Sequence, residues 1–130
     1  VSVHPIFNLY NRKWPLLTNP PSLPPAKFSE NGSAVDSIVG AGTIIAGGRI
    51  ERSVISSDVI TETSALVQGS VIMPSVRIGK NAVIRNAIID KNVVIEPGAQ
   101  VGVDLDRDKE RFTISQNGII VVGKGNIIKK

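Results

Sequence analysis

The sequence predicts an all-β chain wound as a parallel β-helix of hexapeptide repeats, and three observations carry that prediction. A short pattern recurs at fixed spacing: Ser37-Ile38-Val39, Ser53-Val54-Ile55, Ser70-Val71-Ile72 and Asn86-Ala87-Ile88, at intervals of 16, 17 and 16 residues. A fixed period marks units that bury an apolar face only by stacking on their neighbours. Residues 37–102 hold no Phe, Tyr or Trp, yet 22 of these 66 residues are Ile or Val. β-Branched side chains suit pleated, buried strands. Apolar anchors recur every five or six residues: Val39, Ile45, Ile50, Ile55 and Ile60, then Ile78, Ile84, Ile89, Ile95 and Val101. Small or turn-forming residues follow them, as in Ile78-Gly79-Lys80-Asn81 and Ile95-Glu96-Pro97-Gly98. Three such segments make one triangular coil of ~18 residues, so the shorter period implies tighter bends.

Residues 1–36 differ in kind. They carry six of the eight prolines and four of the five aromatics, Phe7, Tyr10, Trp14 and Phe28. Pro20-Pro21 and Pro24-Pro25 exclude a helix or a central strand. The expected structure is an extended, Pro-rich linker over 1–36 that lays its aromatics on the coil, with a short helical turn at Phe7–Asn11. A disordered linker seldom carries such residues.

The β-helix domain is expected over 37–130. A helical reading of its repeats fails on β-branched content and on the frequent Gly and Pro. An antiparallel sandwich would need two-residue hairpin turns, which the repeats lack. Residues 103–111 break the pattern with alternating charges and read as a solvated loop. Phe112-Thr113-Ile114 and Ile119–Val122 flank the turn Gln116-Asn117-Gly118, and together form an end cap that covers the last coil.

Composition narrows function. The net charge of +4 is mild and interleaved, and the repeats lack aromatic stacking groups, which disfavours nucleic acid. Small anions such as phosphates suit the charge better. The absence of cysteine excludes thiolate metal sites and fits a cytoplasmic location. No apolar run approaches the ~18 residues of a membrane span. The first residue is Val1, not Met, and no signal pattern follows, so a fragment of a longer protein is expected.

Candidate chemistry is sparse. Asp104-x-Asp106-x-Asp108 opens like a calcium loop, but Lys109 and Ser115 stand where Gly and Glu are needed. His4 is the sole histidine; a β-helix acyltransferase needs a base between coils, and a zinc site needs several ligands. No catalytic residue and no metal site is therefore expected. Gly40, Gly42, Gly47 and Gly48 lack the Lys-Ser/Thr and the following helix of a phosphate loop, and read as corners. Arg77, Lys80, Arg85, Lys91 and Lys124 are the basic residues that could converge on a sugar phosphate.

His4–Asn11, Trp14-Pro15, Thr18 and Pro24-Pro25-Ala26-Lys27-Phe28 resemble the segment that joins the two domains of bacterial ADP-glucose pyrophosphorylases (glucose-1-phosphate adenylyltransferases). Ile44–Gly48, Ser53–Ser56, Asn86–Asn92, Gly102–Leu105 and Gly118–Gly125 continue the likeness over nearly the whole chain. The resemblance implies a left-handed coil and a regulatory and oligomerisation domain. The family makes ADP-glucose and pyrophosphate from ATP and glucose 1-phosphate for glycogen synthesis, usually as a homotetramer. ATP and Mg²⁺ would belong to a catalytic domain absent from this chain, which would be its partner. Lys91 and Lys124 match positions associated with binding a sugar-phosphate effector. The alternative is a stand-alone hexapeptide-repeat acyltransferase.

Overall fold

A computed structural model describes residues 21–130 together with Ile6, Asn11, Lys13, Trp14 and Asn19. Strands of two or three residues follow one another three to a turn. The first turn holds β1 (Lys27–Ser29), β2 (Ser33–Val35) and β3 (Ile38–Val39); the second β4 (Ile44–Ala46), β5 (Arg49–Glu51) and β6 (Val54–Ile55). The third holds β7 (Ile60–Thr61), β8 (Leu66–Gln68) and β9 (Val71–Ile72); the fourth β10 (Arg77–Ile78), β11 (Val83–Arg85) and β12 (Ala87–Ile89). After β13 (Val94–Ile95) and β14 (Gln100–Val101), helix α1 (Leu105–Arg111) and β15 (Thr113–Ile114) interrupt the coil. It resumes with β16 (Ile120–Val122) and β17 (Ile127–Ile128).

Stacking of the turns gives three sheets. Face I runs β1-β4-β7-β10-β13-β17, face II β14-β11-β8-β5-β2, and face III β15-β16-β12-β9-β6-β3. The pairings are parallel except that of β15 with β16. This is the parallel β-helix that the period predicted.

From β4 onward each strand except β15 turns at least one residue inward, and β12 and β16 turn two, Ala87 with Ile89 and Ile120 with Val122. Face I contributes Ile45, Thr61, Ile78, Ile95 and Ile128; face II Ile50, Val67, Ile84 and Val101; face III Ile55, Ile72, Ile89 and Val122, all buried. Full burial of one Ile or Val is worth roughly 1.5–3 kcal/mol. A column of such contacts is therefore the principal stabilising term. At the third turn the inward residue is Thr61, and Ile60, the anchor expected from the pattern, faces outward half-buried.

The corners explain the short period. Each is a residue with positive φ, and at all but the end corners Asp36 and Gly125 the next residue is buried. Gly42, Asp58, Ser75, Asn92 and Gly125 form one corner column, and Gly47, Ser64, Asn81 and Gly98 another. Asp36, Arg52, Gly69 and Asn86 form the third. Asn, Asp and Gly tolerate this region at little cost, whereas Arg52 pays the side-chain clash. Gly42 and Gly47 are corner residues as expected. Gly40 and Gly48 are not, and owe their identity to the adjacent turn: a Cβ on Gly40 would lie 2.7 Å from the Ser56 carbonyl carbon.

The serines of the repeat form a ladder beside the third corner. The Oγ of Ser37, Ser53 and Ser70 each donates to the carbonyl two residues earlier, at 2.7 Å. Each also accepts the N–H of the residue one turn later, Ser53, Ser70 and Ala87, at 3.1 Å. Ala87 therefore occupies the serine position and Asn86 the corner. The last interval is 17 residues, so the fourth copy is Ala87-Ile88-Ile89.

Further expectations change. The coil begins at Lys27, within the segment expected to be linker, because β1 and β2 pair with β4 and β5. Of the aromatics placed in that segment, Trp14 and Phe28 are 74% and 47% exposed, while Leu23 packs on Gly42 and the Pro24 carbonyl accepts the Gly42 N–H. Phe7, Tyr10 and the expected turn at 7–11 lie outside the described residues. The charged stretch 103–111 is not a solvated loop but holds α1, because Asp104 caps it through Asp106 N–H and Arg107 N–H. Asp108 is buried there and accepts the Gly102 N–H at 2.7 Å. Of the cap expected over 112–122, the antiparallel pair forms as β15 and β16, with Phe112 and Ile114 packed on the core, but β16 is itself a coil strand parallel to β12 and β17 continues the coil beyond it.

Candidate functional site

Two of the basic residues singled out in the sequence meet at one corner. Lys91 follows β12 in the bend Asp90-Lys91-Asn92, and Lys124 follows β16 in Gly123-Lys124-Gly125. The Lys91 carbonyl accepts the Gly125 N–H at 3.1 Å, and Asp90 N–H donates to the Val122 carbonyl at 3.0 Å. The two lysines thus stand one turn apart, about 4.8 Å along the stack. Both are exposed, and neither joins an ion pair among the described residues. Asp90, the carboxylate of this bend, is turned to backbone: its Oδ1 accepts the Lys91 N–H at 2.7 Å. Like charges carried at neighbouring positions of the stack repel each other, and a bound anion relieves that repulsion.

The other basic residues do not converge there. Arg77 lies on face I and its Nη2 donates to both oxygens of Asp58 at 3.2 Å. The Ser75 hydroxyl also donates to Asp58, at 2.8 Å. These bonds, Ser75 first and then Arg77, hold the Asp58 carboxyl below its ordinary 3.8. Arg85 is exposed at the end of β11 on face II, and Lys80 lies in the bend between faces I and II. Glu51 on face II accepts from Gln68 at 2.6 Å and from Arg49, which keeps its carboxyl below 4.5. These are surface ladders that link turns.

A shallow cleft of about 160 Å³ opens on face I above Gly79, between Glu62 and Glu96, with Ile60, Val94 and Pro97 along its walls. It holds no nucleophile with a base beside it. Asp104 and Asp106 are committed to capping α1 and to Lys109, and Asp108 to the Gly102 N–H. His4 lies outside the described residues. No helix among them is long and apolar enough to cross a membrane.

What the sequence reading missed is the outer surface of face III. The middle residue of each Ser-Ile-Val copy points outward, so the repeat that identified the fold also wrote an aliphatic stripe on its surface. The signal was present in the period-2 alternation of each strand.

Comparison with known proteins agrees with this architecture. The family model described as GlmU-like, C-terminal hexapeptide matches residues 24–122. A glucose-1-phosphate adenylyltransferase of Corynebacterium jeikeium is 52% identical over 129 residues, covering 98% of this chain and 32% of the relative. Proteins of the same name from Mycobacterium ulcerans and Mycolicibacterium smegmatis are each 58% identical over 125 residues, covering 96% of this chain and 31% of theirs. The chain spans about a third of the length of these relatives.

Proposed function

The chain belongs to the GlmU-like C-terminal hexapeptide family, and on that premise we propose that it is the regulatory and assembly unit of a glucose-1-phosphate adenylyltransferase. The observation that carries this reading is an identity of 52–58% to enzymes of that name across nearly the whole chain. The site chemistry supports it from the other side. Among the described residues Glu51, Asp58, Asp104 and Asp108 are engaged by neighbouring groups, whereas Lys91 and Lys124 join no ion pair. In this reading the whole enzyme joins ATP and glucose 1-phosphate into ADP-glucose and pyrophosphate, for glycogen synthesis in the cytoplasm. ATP and Mg²⁺ are handled by the catalytic part of the polypeptide, and the protomers assemble as a homotetramer.

Lys91 and Lys124 form the effector site. Their stacked ammonium groups suit a phosphate monoester, whose charge neutralises both and accepts their hydrogen bonds. A sugar phosphate would sit against this corner with its sugar toward the catalytic part.

The test uses the longer polypeptide. Lys91→Ala and Lys124→Ala should each lower the activation that a panel of hexose phosphates produces, with the unactivated rate nearly intact. Activation curves that coincide with those of the parent enzyme would remove the effector role. The acyltransferase alternative is not favoured by the names of the relatives. It predicts turnover of an acyl-CoA, and we expect none.

A further inference from the structure

We propose that Asn117 is a site of spontaneous covalent modification, where the side-chain amide is lost and an aspartyl or isoaspartyl residue takes its place in the turn. Two Asn-Gly pairs occur in the chain, Asn31-Gly32 and Asn117-Gly118. Asparagine is a chemically labile residue, and a following glycine has no Cβ to shield its amide nitrogen. In the first step the deprotonated Gly118 nitrogen attacks Asn117 Cγ. The new N–Cγ bond closes a cyclic succinimide, the Cγ–Nδ2 bond breaks, and ammonia leaves with a proton from water. A water molecule then adds to either ring carbonyl. Opening at Cγ restores the backbone with an Asp side chain. Opening at the backbone carbonyl routes the chain through Cγ and gives isoaspartate. Water is the sole co-reactant.

The two pairs share a dipeptide and differ in what surrounds it. Both form tight turns: Gly32 N–H donates to the Ser29 carbonyl at 2.8 Å, and Gly118 N–H to the Ser115 carbonyl at 2.9 Å. Ring closure needs rotation about the bonds that flank this N–H. At Asn31 the second turn of the coil blocks it. A Cβ on Gly32 would lie 2.2 Å from the Ile45 carbonyl oxygen, so the glycine is seated against that strand. The Ser29 carbonyl also accepts the Gly47 N–H, and Ser33 N–H donates to the Gly48 carbonyl, both at 2.9 Å. At Asn117 the surroundings are open. Nothing lies within 4 Å of a Cβ built on Gly118, and Ser115, Gln116 and Asn117 are exposed at the tip of the β15–β16 hairpin. Such tips open locally at small cost, whereas an anchored turn opens only with the structure around it. Asn81, Asn86, Asn92 and Asn126 precede Ala, Ala, Val and Ile, each of which has the Cβ that glycine lacks.

The consequence falls on the cap. Isoaspartate adds a backbone carbon and a carboxylate between Ser115 and Ile119, where Ser115 N–H donates to the Ile119 carbonyl at 2.9 Å. The hairpin is thereby loosened at the strand that leads to Lys124. The modification itself does not rest on the effector reading, since its test reads a mass and not an activation curve.

Trypsin separates the two sites: Phe28–Arg49 carries Asn31 and Phe112–Lys124 carries Asn117, each as its sole asparagine. The folded chain is held warm at mildly alkaline pH and digested at intervals. Phe112–Lys124 should gain the mass of amide-to-acid exchange at roughly ten times or more the rate of Phe28–Arg49. An isoaspartyl carboxyl methyltransferase should label the same peptide. In urea the two rates should converge, because the fold alone separates them. Asn117→Gln, which lengthens the side chain and so disfavours ring closure, should keep the peptide at its starting mass. Equal rates in the folded chain overturn the proposal. So does a Phe112–Lys124 peptide that stays unchanged under conditions in which the urea-unfolded chain converts.

Discussion

Replacing Thr61 with valine is expected to stabilise the chain, although it alters a fully buried residue. Thr61 faces the core between Ile45 and Ile78. It is 0% exposed, and its Oγ1 has no hydrogen-bond partner among the described residues. The site is tight, because a Cβ on Gly48 would lie 2.8 Å from that oxygen. Valine keeps the shape and exchanges the hydroxyl for a methyl. An unsatisfied buried hydroxyl costs about 1–3 kcal/mol. Some of this is offset by a hydroxyl's residual polarisation of its surroundings and by small packing shifts, so a net gain of about 1–2 kcal/mol is expected. For a chain of this size that is a rise of roughly 3–8 °C in Tm. The assay is thermal and urea unfolding by circular dichroism, with an unchanged m-value required for the comparison. Ser53→Ala is the matched opposite: its Oγ donates to the Glu51 carbonyl and accepts the Ser70 N–H. Its loss leaves a buried donor unpaired and should cost about 1–3 kcal/mol. A Thr61→Val chain no more stable than its parent would refute the argument that this hydroxyl is an uncompensated polar group.

Other outcomes follow from the same geometry. Gly102→Ala should destabilise by more than about 2 kcal/mol, since φ is +78° and the new Cβ would overlap the Arg85 carbonyl; a near-parent urea midpoint would contradict it. Glu51 and Asp58 have folded-state pKa values below their ordinary 4.5 and 3.8. Their stabilisation is complete above those values and is lost as pH falls through the lower folded ones. Urea midpoints should therefore drop below about pH 4.5, and a Glu51→Gln, Asp58→Asn double variant should show a shallower drop. Asp108→Ala should free the Gly102 N–H and loosen α1, visible as faster amide exchange over 102–111 with the strands of the coil unchanged. In the longer polypeptide, a Lys91→Ala, Lys124→Ala double variant should lose less activation by hexose phosphates than the two single losses combined, because both lysines bind one anion and their effects are coupled.

Two kinds of information were legible to different degrees. The β-helix was readable because stacking repeats the same demand at every turn: an inward aliphatic, a corner and a small residue. Lys91 and Lys124 were readable as candidates through family likeness, but only the stack shows them at one corner. Arg77 and Arg85, close in sequence, end on different faces because a corner lies between them.

The sequence alone determined the architecture, since a 17-residue period rich in β-branched residues has one way to bury its apolar face. It did not determine phase. A one-residue slip reverses which side of a strand is buried, and local composition favoured Ile60 over Thr61 and Asn86 over Ala87. Neighbouring turns decided otherwise: their hydrogen bonds fix the register, and the chain accepts a buried Thr61 to keep it. Phase also decided the surface. It turned the middle residue of each repeat outward on face III, and so gave a stripe that composition could count but not place.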